Sequence, residues 1–248
     1  MPILPVLDLM QGQIVRGVAG RRDDYQPIVS NLTSSAKPVD VALALHERFG
    51  FDEFYLADLD AIRDGVPNLD VYRQLQMEGF RIWVDAGIRS RSARSLKMLI
   101  IANVARVIIG LETIADPEDI GHIVRRLGVD RAVFSLDLKD GKALGAIERW
   151  HTSDPFGIAR RAIESLGVRR LIVLDLARVG VGTGTGTEAL CRRIKEVHPD
   201  VHLCAGGGVR GIDDVTRLMQ LGVEHVLVAS ALHDGRIMPA DVVKRAQS

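Results

Sequence analysis

The 248-residue chain is poor in cysteine and aromatic residues and has no charge imbalance, and each shortage excludes a class of protein. Its two cysteines, Cys191 and Cys204, are too few for a disulfide framework or a four-cysteine zinc site, so we expect a reducing, cytoplasmic location. Lys+Arg and Asp+Glu are equal at 32 each, so no basic surplus predicts nucleic-acid binding. No signal-peptide pattern is expected at the N-terminus, and no apolar run approaches the ~20 residues that span a bilayer.

Eight short apolar or β-branched runs alternate with amphipathic stretches along the chain. Several are apolar throughout, which is typical of strands buried on both faces of a parallel sheet. Between them the spacing is helical, and Asp154 followed by Pro155 is a typical helix start. The predicted strands are Ile3–Leu9, Phe54–Leu59, Arg81–Asp85, Arg106–Ile109, Ala132–Leu138, Leu171–Leu176, His202–Ala205 and His225–Ala229.

The two halves of the chain carry matching residues at strand ends. Asp8 ends the first predicted strand, and Asp137 ends the fifth, 129 positions later (137 − 8). Gly87 and Gly208 lie 121 positions apart (208 − 87) in the loops after strands three and seven. The pattern predicts an α/β fold, a single (β/α)8 TIM barrel over residues 1–248 built from two half-barrel repeats. An open doubly wound sheet is the structural alternative.

Asp8 and Asp137 are the candidate catalytic pair. Strand C-termini form the active-site end of such barrels, so both carboxylates should point into the barrel mouth. Two carboxylates with different environments can divide acid and base work on one bound molecule. We expect Asp8 to act as the base and Asp137 as the acid. The alternative is that both only cap neighbouring turns.

The loop after predicted strand seven is the stronger candidate for phosphate binding. Gly206, Gly207 and Gly208 let the backbone approach an anion and direct N–H groups at it. Barrels often hold phosphate between the loops after strands seven and eight, and Ala229 and Ser230 begin the second of these. The alternative is a tight turn that needs glycine for its backbone conformation.

The loop after predicted strand three is the weaker phosphate candidate. Its Gly87 follows Asp85, whose charge would repel a phosphate, and Ala86, which restricts the backbone. We expect Arg89 and Gly110 to help if an anion does bind there.

Two connections are long, and both follow strand C-termini, where binding loops and lids are common. The first, residues 10–37, supplies Arg16 as a candidate substrate ligand, and the second, residues 178–187, alternates glycine with other residues. Trp150 is expected either to stack on a planar substrate ring or to pack at the surface. Asp175, at the end of predicted strand six, is a further candidate substrate ligand.

No cofactor is expected. The strand-end carboxylates Asp58 and Asp60 have the oxygen ligands that divalent cations prefer, but no histidine has metal-ligand spacing near them, so we expect no metal. The predicted partner is a phosphorylated small-molecule substrate. We expect a monomer that contacts neither nucleic acid nor membrane.

The chain resembles the histidine-biosynthesis barrels, namely the phosphoribosylformimino-aminoimidazole-carboxamide ribotide isomerase and the imidazole-glycerol-phosphate synthase cyclase. The resemblance implies that Asp8 and Asp137 are the catalytic pair, and that Trp150 is the loop-five tryptophan. It also implies aldose–ketose (Amadori) isomerisation without a metal or an organic cofactor. The matching stretches are Pro5–Gly20, Phe54–Ala61, Gly87–Ser90, Phe134–Lys142, Gly206–Arg210 and Ala229–Gly235.

Three positions depart from the family pattern. Val179-Gly180-Val181 stands where the family has Asp-Gly-Thr, Asp85-Ala86-Gly87 replaces Gly-Gly-Gly, and Ala229-Ser230 replaces Gly-Arg. The departures favour a diverged member of the family and predict slow isomerisation of the histidine-pathway substrate. The alternatives are a related enzyme with another phosphorylated substrate, for example in cofactor biosynthesis, and a non-catalytic phosphometabolite-binding protein.

Overall fold

A closed barrel of parallel strands forms the centre of the molecule in the computed structural model, which describes residues 2–243. The outermost residues of the predicted 1–248 domain, Met1 and 244–248, lie outside the described residues. Strands β1, β4, β5, β6, β7, β9, β10 and β11 pair in that order, and β11 pairs with β1 to close the sheet. This confirms the predicted TIM barrel. The strands are β1 (Ile3–Met10), β2 (Gln13–Arg16), β3 (Gln26–Pro27), β4 (Glu53–Asp58), β5 (Arg81–Asp85), β6 (Arg106–Gly110), β7 (Ala132–Lys139), β8 (Lys142–Ala143), β9 (Arg170–Asp175), β10 (His202–Gly206) and β11 (His225–Val228).

Helices cover the outside of the barrel. Asp154 caps one of them as the sequence predicts, since its carboxylate accepts the N–H groups of Phe156 and Gly157. The helices are α1 (Pro38–Phe49), α2 (Leu59–Asp64), α3 (Leu69–Met77), α4 (Arg94–Ile101), α5 (Pro117–Leu127), α6 (Pro155–Glu164), α7 (Glu188–Val197), α8 (Ile212–Gln220), α9 (Ser230–His233) and α10 (Pro239–Val243).

The hydrophobic core has two layers. The larger lies between the sheet and the helices, and the smaller fills the barrel interior, where Trp83 and Ile108 are buried. At the N-terminal end of the strands, the Trp83 indole donates to Glu53 at 2.6 Å, and the Arg106 guanidinium lies 4.1 Å from the ring centroid. This packing fills the lower end of the barrel and leaves the interior open only at the C-terminal end.

Matching hairpins extend the internal repeat. Strand β1 turns into antiparallel β2 through Gln11 and Gly12, and β7 turns into antiparallel β8 through Asp140 and Gly141. The φ angles of the two turns agree, at 51° and 75° in the first and 52° and 74° in the second. Both turn residues keep the 129-position offset of Asp8 and Asp137. The equivalent hairpins support the interpretation that two half-barrels were joined.

The described residues show no metal cluster, no disulfide and no membrane span. Cys191 and Cys204 are free and buried. No group of three His, Cys, Asp or Glu side chains between residues 2 and 243 is placed to hold a metal ion. Among the helices in that range, none is both long and apolar enough to cross a bilayer.

Candidate active site

A cavity of about 330 Å³ lies at the C-terminal ends of the barrel strands. Asp8 and Asp137, on opposite sides of the barrel in chain order, both line it. The strand register pairs Asp8 with Ala57 and Ala57 with Asp85, so Asp8 and Asp85 lie at one level of the sheet with a single strand between them. Three aspartates therefore face one space. The other polar or charged lining side chains are Arg22, Tyr25, Tyr55, Glu112, Lys139 and Ser230.

Asp8 lies close to the backbone of the loop that follows β2. The Gly17 N–H donates to its carboxylate, and a Cβ atom at Gly17 would lie only 2.8 Å from Oδ2. Burial raises the pKa of Asp8 to about 7, and the nearby Arg22 charge opposes that rise. A carboxyl group with this pKa exchanges a proton near neutral pH.

Asp137 is held by two donors. The Ser135 hydroxyl donates to Oδ1 at 2.6 Å, and the Glu112 N–H donates to Oδ2 at 3.1 Å. A Cβ atom at Gly110 would lie 3.0 Å from Oδ2, so glycine gives this carboxylate its room. Burial is the main cause that raises the pKa of Asp137 to about 7, with a smaller contribution from the Asp85 charge.

Asp85 fills the position that the weaker glycine loop would offer to an anion. Its Oδ1 accepts the Gly87 N–H at 3.0 Å, and its Oδ2 accepts the Tyr55 hydroxyl at 3.3 Å. Gly87 has a φ of 62°, and a Cβ there would lie 2.7 Å from the Ile62 Cα atom. Glycine at this position serves packing against α2. Burial raises the pKa of Asp85 to about 6.

Arg89, the predicted helper at this loop, bonds to the main chain of neighbouring residues. Its guanidinium donates to the carbonyl oxygens of Ile62 and Arg63, at 2.9 and 3.3 Å. The first-half loop therefore presents a carboxylate to the cavity, and its basic side chain is bonded to main-chain oxygens.

The loop after β10 has free donors. Gly207 and Gly208 line the cavity with φ angles of 89° and 78°, and their N–H groups make no hydrogen bond to any other described residue. Ala229 and Ser230 line the same part of the wall. The Arg236 guanidinium donates to the Ser230 hydroxyl and to the Asp234 carboxylate, each at 3.0 Å. Gly206 packs against β11, where a Cβ would lie 2.6 Å from the Leu227 Cβ.

The three predicted substrate ligands lie outside the main cavity lining. Arg16 faces Asp234 at 3.8 Å beside a small adjoining cavity that shares Asp8. Trp150 is buried and stacks on Phe134, with 5.6 Å between ring centroids, next to a separate surface pocket. Asp175 is buried. Its carboxylate accepts the N–H groups of Asp140 and Gly141 in the β7–β8 turn and the N–H group of Ala177. Their roles toward a substrate stay predictions.

Sequence reasoning missed five polar side chains that line the cavity, namely Arg22, Tyr25, Tyr55, Glu112 and Lys139. Tyr55 and Ala57 lie two positions apart on β4, so their side chains share the face of the strand that lines the cavity. This alternation was the sequence signal that could have identified Tyr55. Glu112 follows the end of β6, and its carboxylate pairs with Arg22 at 3.4 Å. Arg22 belongs to the long loop in which Arg16 was the predicted ligand.

The loops after β2 and β9 meet over the cavity. The Ala19 N–H donates to the Val179 carbonyl oxygen at 2.8 Å, and both residues line the wall. The loop that contains Val179 also packs on the Gly208 loop, because the Gly184 N–H donates to the Gly208 oxygen at 3.0 Å. Val179 therefore presents an apolar side chain where the family pattern has an acid.

The fold and the cavity define a (β/α)8 barrel whose candidate site has acid/base carboxylates beside a glycine loop. The family model described as "Histidine biosynthesis protein" matches residues 2–238. The chain belongs to this family.

Relatives along the full chain include named isomerases. The chain is 30% identical to the 1-(5-phosphoribosyl)-5-((5-phosphoribosylamino)methylideneamino) imidazole-4-carboxamide isomerase of Thermoanaerobacter pseudethanolicus over 100% of both chains. It is 32% identical to the isomerase of the same name from Moorella thermoacetica, over 95% of this chain and 94% of that one. It is also 29% identical to an uncharacterized protein of Methanocaldococcus jannaschii, over 99% of both.

Proposed function

We propose that the protein isomerises a phosphorylated aminoaldose to the corresponding aminoketose, with Asp8 as the base and Asp137 as the acid. The observation that carries the proposal is the presence of both carboxylates in one cavity beside the Gly207–Gly208 loop. The names of the relatives support an isomerase, since those proteins are isomerases of a phosphoribosyl compound.

The proposed reaction is a pair of proton transfers. Protonated Asp137 gives its proton to the ring oxygen, and the C1–O bond breaks to leave a C1=N iminium. Ionised Asp8 takes the proton from C2, and the electron pair of that C–H bond forms a C1=C2 enolamine. The enolamine then takes the proton from Asp8 at C1 while its C2 hydroxyl proton passes to Asp137, which forms the C2 ketone and restores both carboxyl groups. Each step balances without an oxidant or a reductant.

The electrostatics of the cavity suit proton transfer by both carboxyl groups. Burial places the pKa of both Asp8 and Asp137 at about 7, close to the value at which a group gives and takes protons most effectively at neutral pH. Proton transfer by positioned groups supplies about 10²–10⁴ in rate.

The phosphate of the substrate would bind the loops after β10 and β11. Free N–H groups of Gly207 and Gly208 and the Arg236-supported hydroxyl of Ser230 give donors on one wall. Binding there would position the sugar over the two aspartates and contribute orientation.

A diverged substrate is the second candidate, and Val179 favours it. A valine side chain neither transfers a proton nor accepts a hydrogen bond from a sugar hydroxyl, although it lines the cavity. Asp85 would repel the second phosphate of the histidine-pathway substrate. A non-catalytic binding protein has less support, because a binding role does not require two buried carboxyl groups with pKa values near 7 in one cavity.

Asp8→Asn and Asp137→Asn variants test the proposal with the histidine-pathway ribotide at high enzyme concentration. We expect turnover to fall by about 10²–10⁴, with Tm unchanged or raised because each substitution removes a buried charge. Asp70→Asn, at an exposed position of α3, is the matched control and should keep wild-type turnover. Full turnover in both active-site variants would end the acid/base proposal.

A further inference from the structure

We propose that the substrate of this protein carries a single phosphate, and that Asp85 receives a protonated nitrogen at the opposite end of it. The inference deepens the proposed function and rests on its phosphate loop. It concerns the end of the cavity where the weaker of the two candidate phosphate loops was predicted.

Two donors of the loop after β5 already have acceptors within the protein. The Gly87 N–H is taken by Asp85 at 3.0 Å. The Nη2 atom of Arg89 donates to the carbonyl oxygens of Ile62 and Arg63. Gly87 cannot change its contact with α2 freely, because a Cβ there would already lie 2.7 Å from Ile62 Cα. The carboxylate of Asp85 therefore takes the place at this loop that a bound anion would occupy.

The charges around Asp85 oppose a second phosphate. Asp137 and Glu112 line the same cavity, and the Glu112 carboxylate raises the pKa of both Asp85 and Asp137. Arg22, a cation that lines this cavity, is paired with Glu112 at 3.4 Å. A dianion beside these groups would meet repulsion in a cavity that water screens poorly.

A hydrogen-bond donor on the substrate, such as a protonated nitrogen, suits the Asp85 carboxylate. One of its oxygens accepts only the Tyr55 hydroxyl, at 3.3 Å, so it retains acceptor capacity toward the cavity. A hydrogen bond from a protonated nitrogen to a buried carboxylate is charge-assisted and about twice as strong as a neutral one. The cavity then has opposite preferences at its two ends, with an anion at Gly207 and Gly208 and a cation at Asp85.

Calorimetric titration with phosphates of graded length tests the inference. The probes are inorganic phosphate, ω-aminoalkyl phosphates of increasing length, the alkyl phosphates that match them, and the matching diol bisphosphates. We expect one length of aminoalkyl phosphate to bind about tenfold or more tightly than its alkyl partner. The bisphosphate of that length should bind more weakly than the alkyl phosphate.

Two variants locate the effect. Asp85→Asn keeps an oxygen for the Gly87 N–H and should remove the preference for the amine, whereas Asp70→Asn, at an exposed position, should keep it. Tighter binding of the bisphosphate than of the alkyl phosphate to the wild type would overturn the inference, as would an amine preference that is absent at every length or that persists in Asp85→Asn. If inorganic phosphate does not bind, the phosphate site assigned to the Gly207–Gly208 loop in the proposed function is wrong. That outcome is distinct from a failure of the inference about Asp85.

Discussion

The loops after β5 and β10 occupy matching places in the two half-barrels, yet they present opposite surfaces to the cavity. After β5, the Gly87 N–H donates to Asp85 at 3.0 Å. After β10, the N–H groups of Gly207 and Gly208 make no bond to another described residue, and both glycines have positive φ. We therefore expect an anion to bind the loop after β10 in preference to the loop after β5.

A difference in packing accompanies the difference in hydrogen bonding. Gly87 contacts the backbone of α2, while Gly208 contacts the carbonyl oxygens of Arg178 and Gly184 in the loop after β9. The second-half loop is thus joined to the segment that contains Val179, and the first-half loop is joined to a helix outside the barrel. The second-half side of the cavity is therefore formed by two loops that pack on each other.

The largest expected effect is on growth of a histidine auxotroph, when the family residues are restored in both halves of the barrel. We expect the unmodified gene to support little growth of a histidine auxotroph that lacks the isomerase. Val179→Asp combined with Asp85→Gly should restore growth, since a group that acts in the transition state contributes about 3 kcal/mol, roughly a hundredfold in rate. Robust growth on the unmodified gene would show that Val179 and Asp85 do not impair the histidine-pathway reaction.

Alanine at one glycine of each loop should separate ligand binding from packing. Gly208→Ala and Gly87→Ala each place a Cβ 2.7 Å from a backbone atom at a positive φ, so both should lower stability by about 1–3 kcal/mol. We expect only Gly208→Ala to weaken phosphate binding, by about tenfold or more. Titration calorimetry with phosphate measures the difference, and equal losses in the two variants would erase the distinction between the loops.

The smallest expected effect is on the pH dependence of stability. The folded protein raises the pKa of Asp85 from its ordinary value of 3.8 to about 6, so the unfolded chain releases this proton first as pH rises. Asp85 therefore costs the wild type stability progressively between about pH 4 and pH 6. The Tm of Asp85→Asn minus that of the wild type should rise by a few degrees across this window.

A control of opposite sign is available for that measurement. Arg63 lowers the pKa of exposed Asp64, so Asp64→Asn should show no such rise. A flat difference for Asp85→Asn would mean that burial does not hold its proton.

Periodicity and repeated spacing predicted the barrel, its eight strands and the inward position of Asp8 and Asp137, because backbone pattern and strand-end position are local properties of a sequence. The partners of a side chain are not local. Arg89 follows a glycine loop, yet its guanidinium bonds to α2, 26 to 27 positions away. Asp175 ends a strand like Asp8, yet its carboxylate holds the turn at Asp140 and Gly141.

A crystal structure of the protein soaked in phosphate tests most directly the central claim that one loop binds an anion and its counterpart is closed by Asp85. We expect phosphate oxygens within hydrogen-bonding distance of the Gly207 and Gly208 N–H groups, with the Gly87 N–H still bonded to Asp85. Phosphate at Gly87 with none at Gly207 and Gly208 would contradict the account.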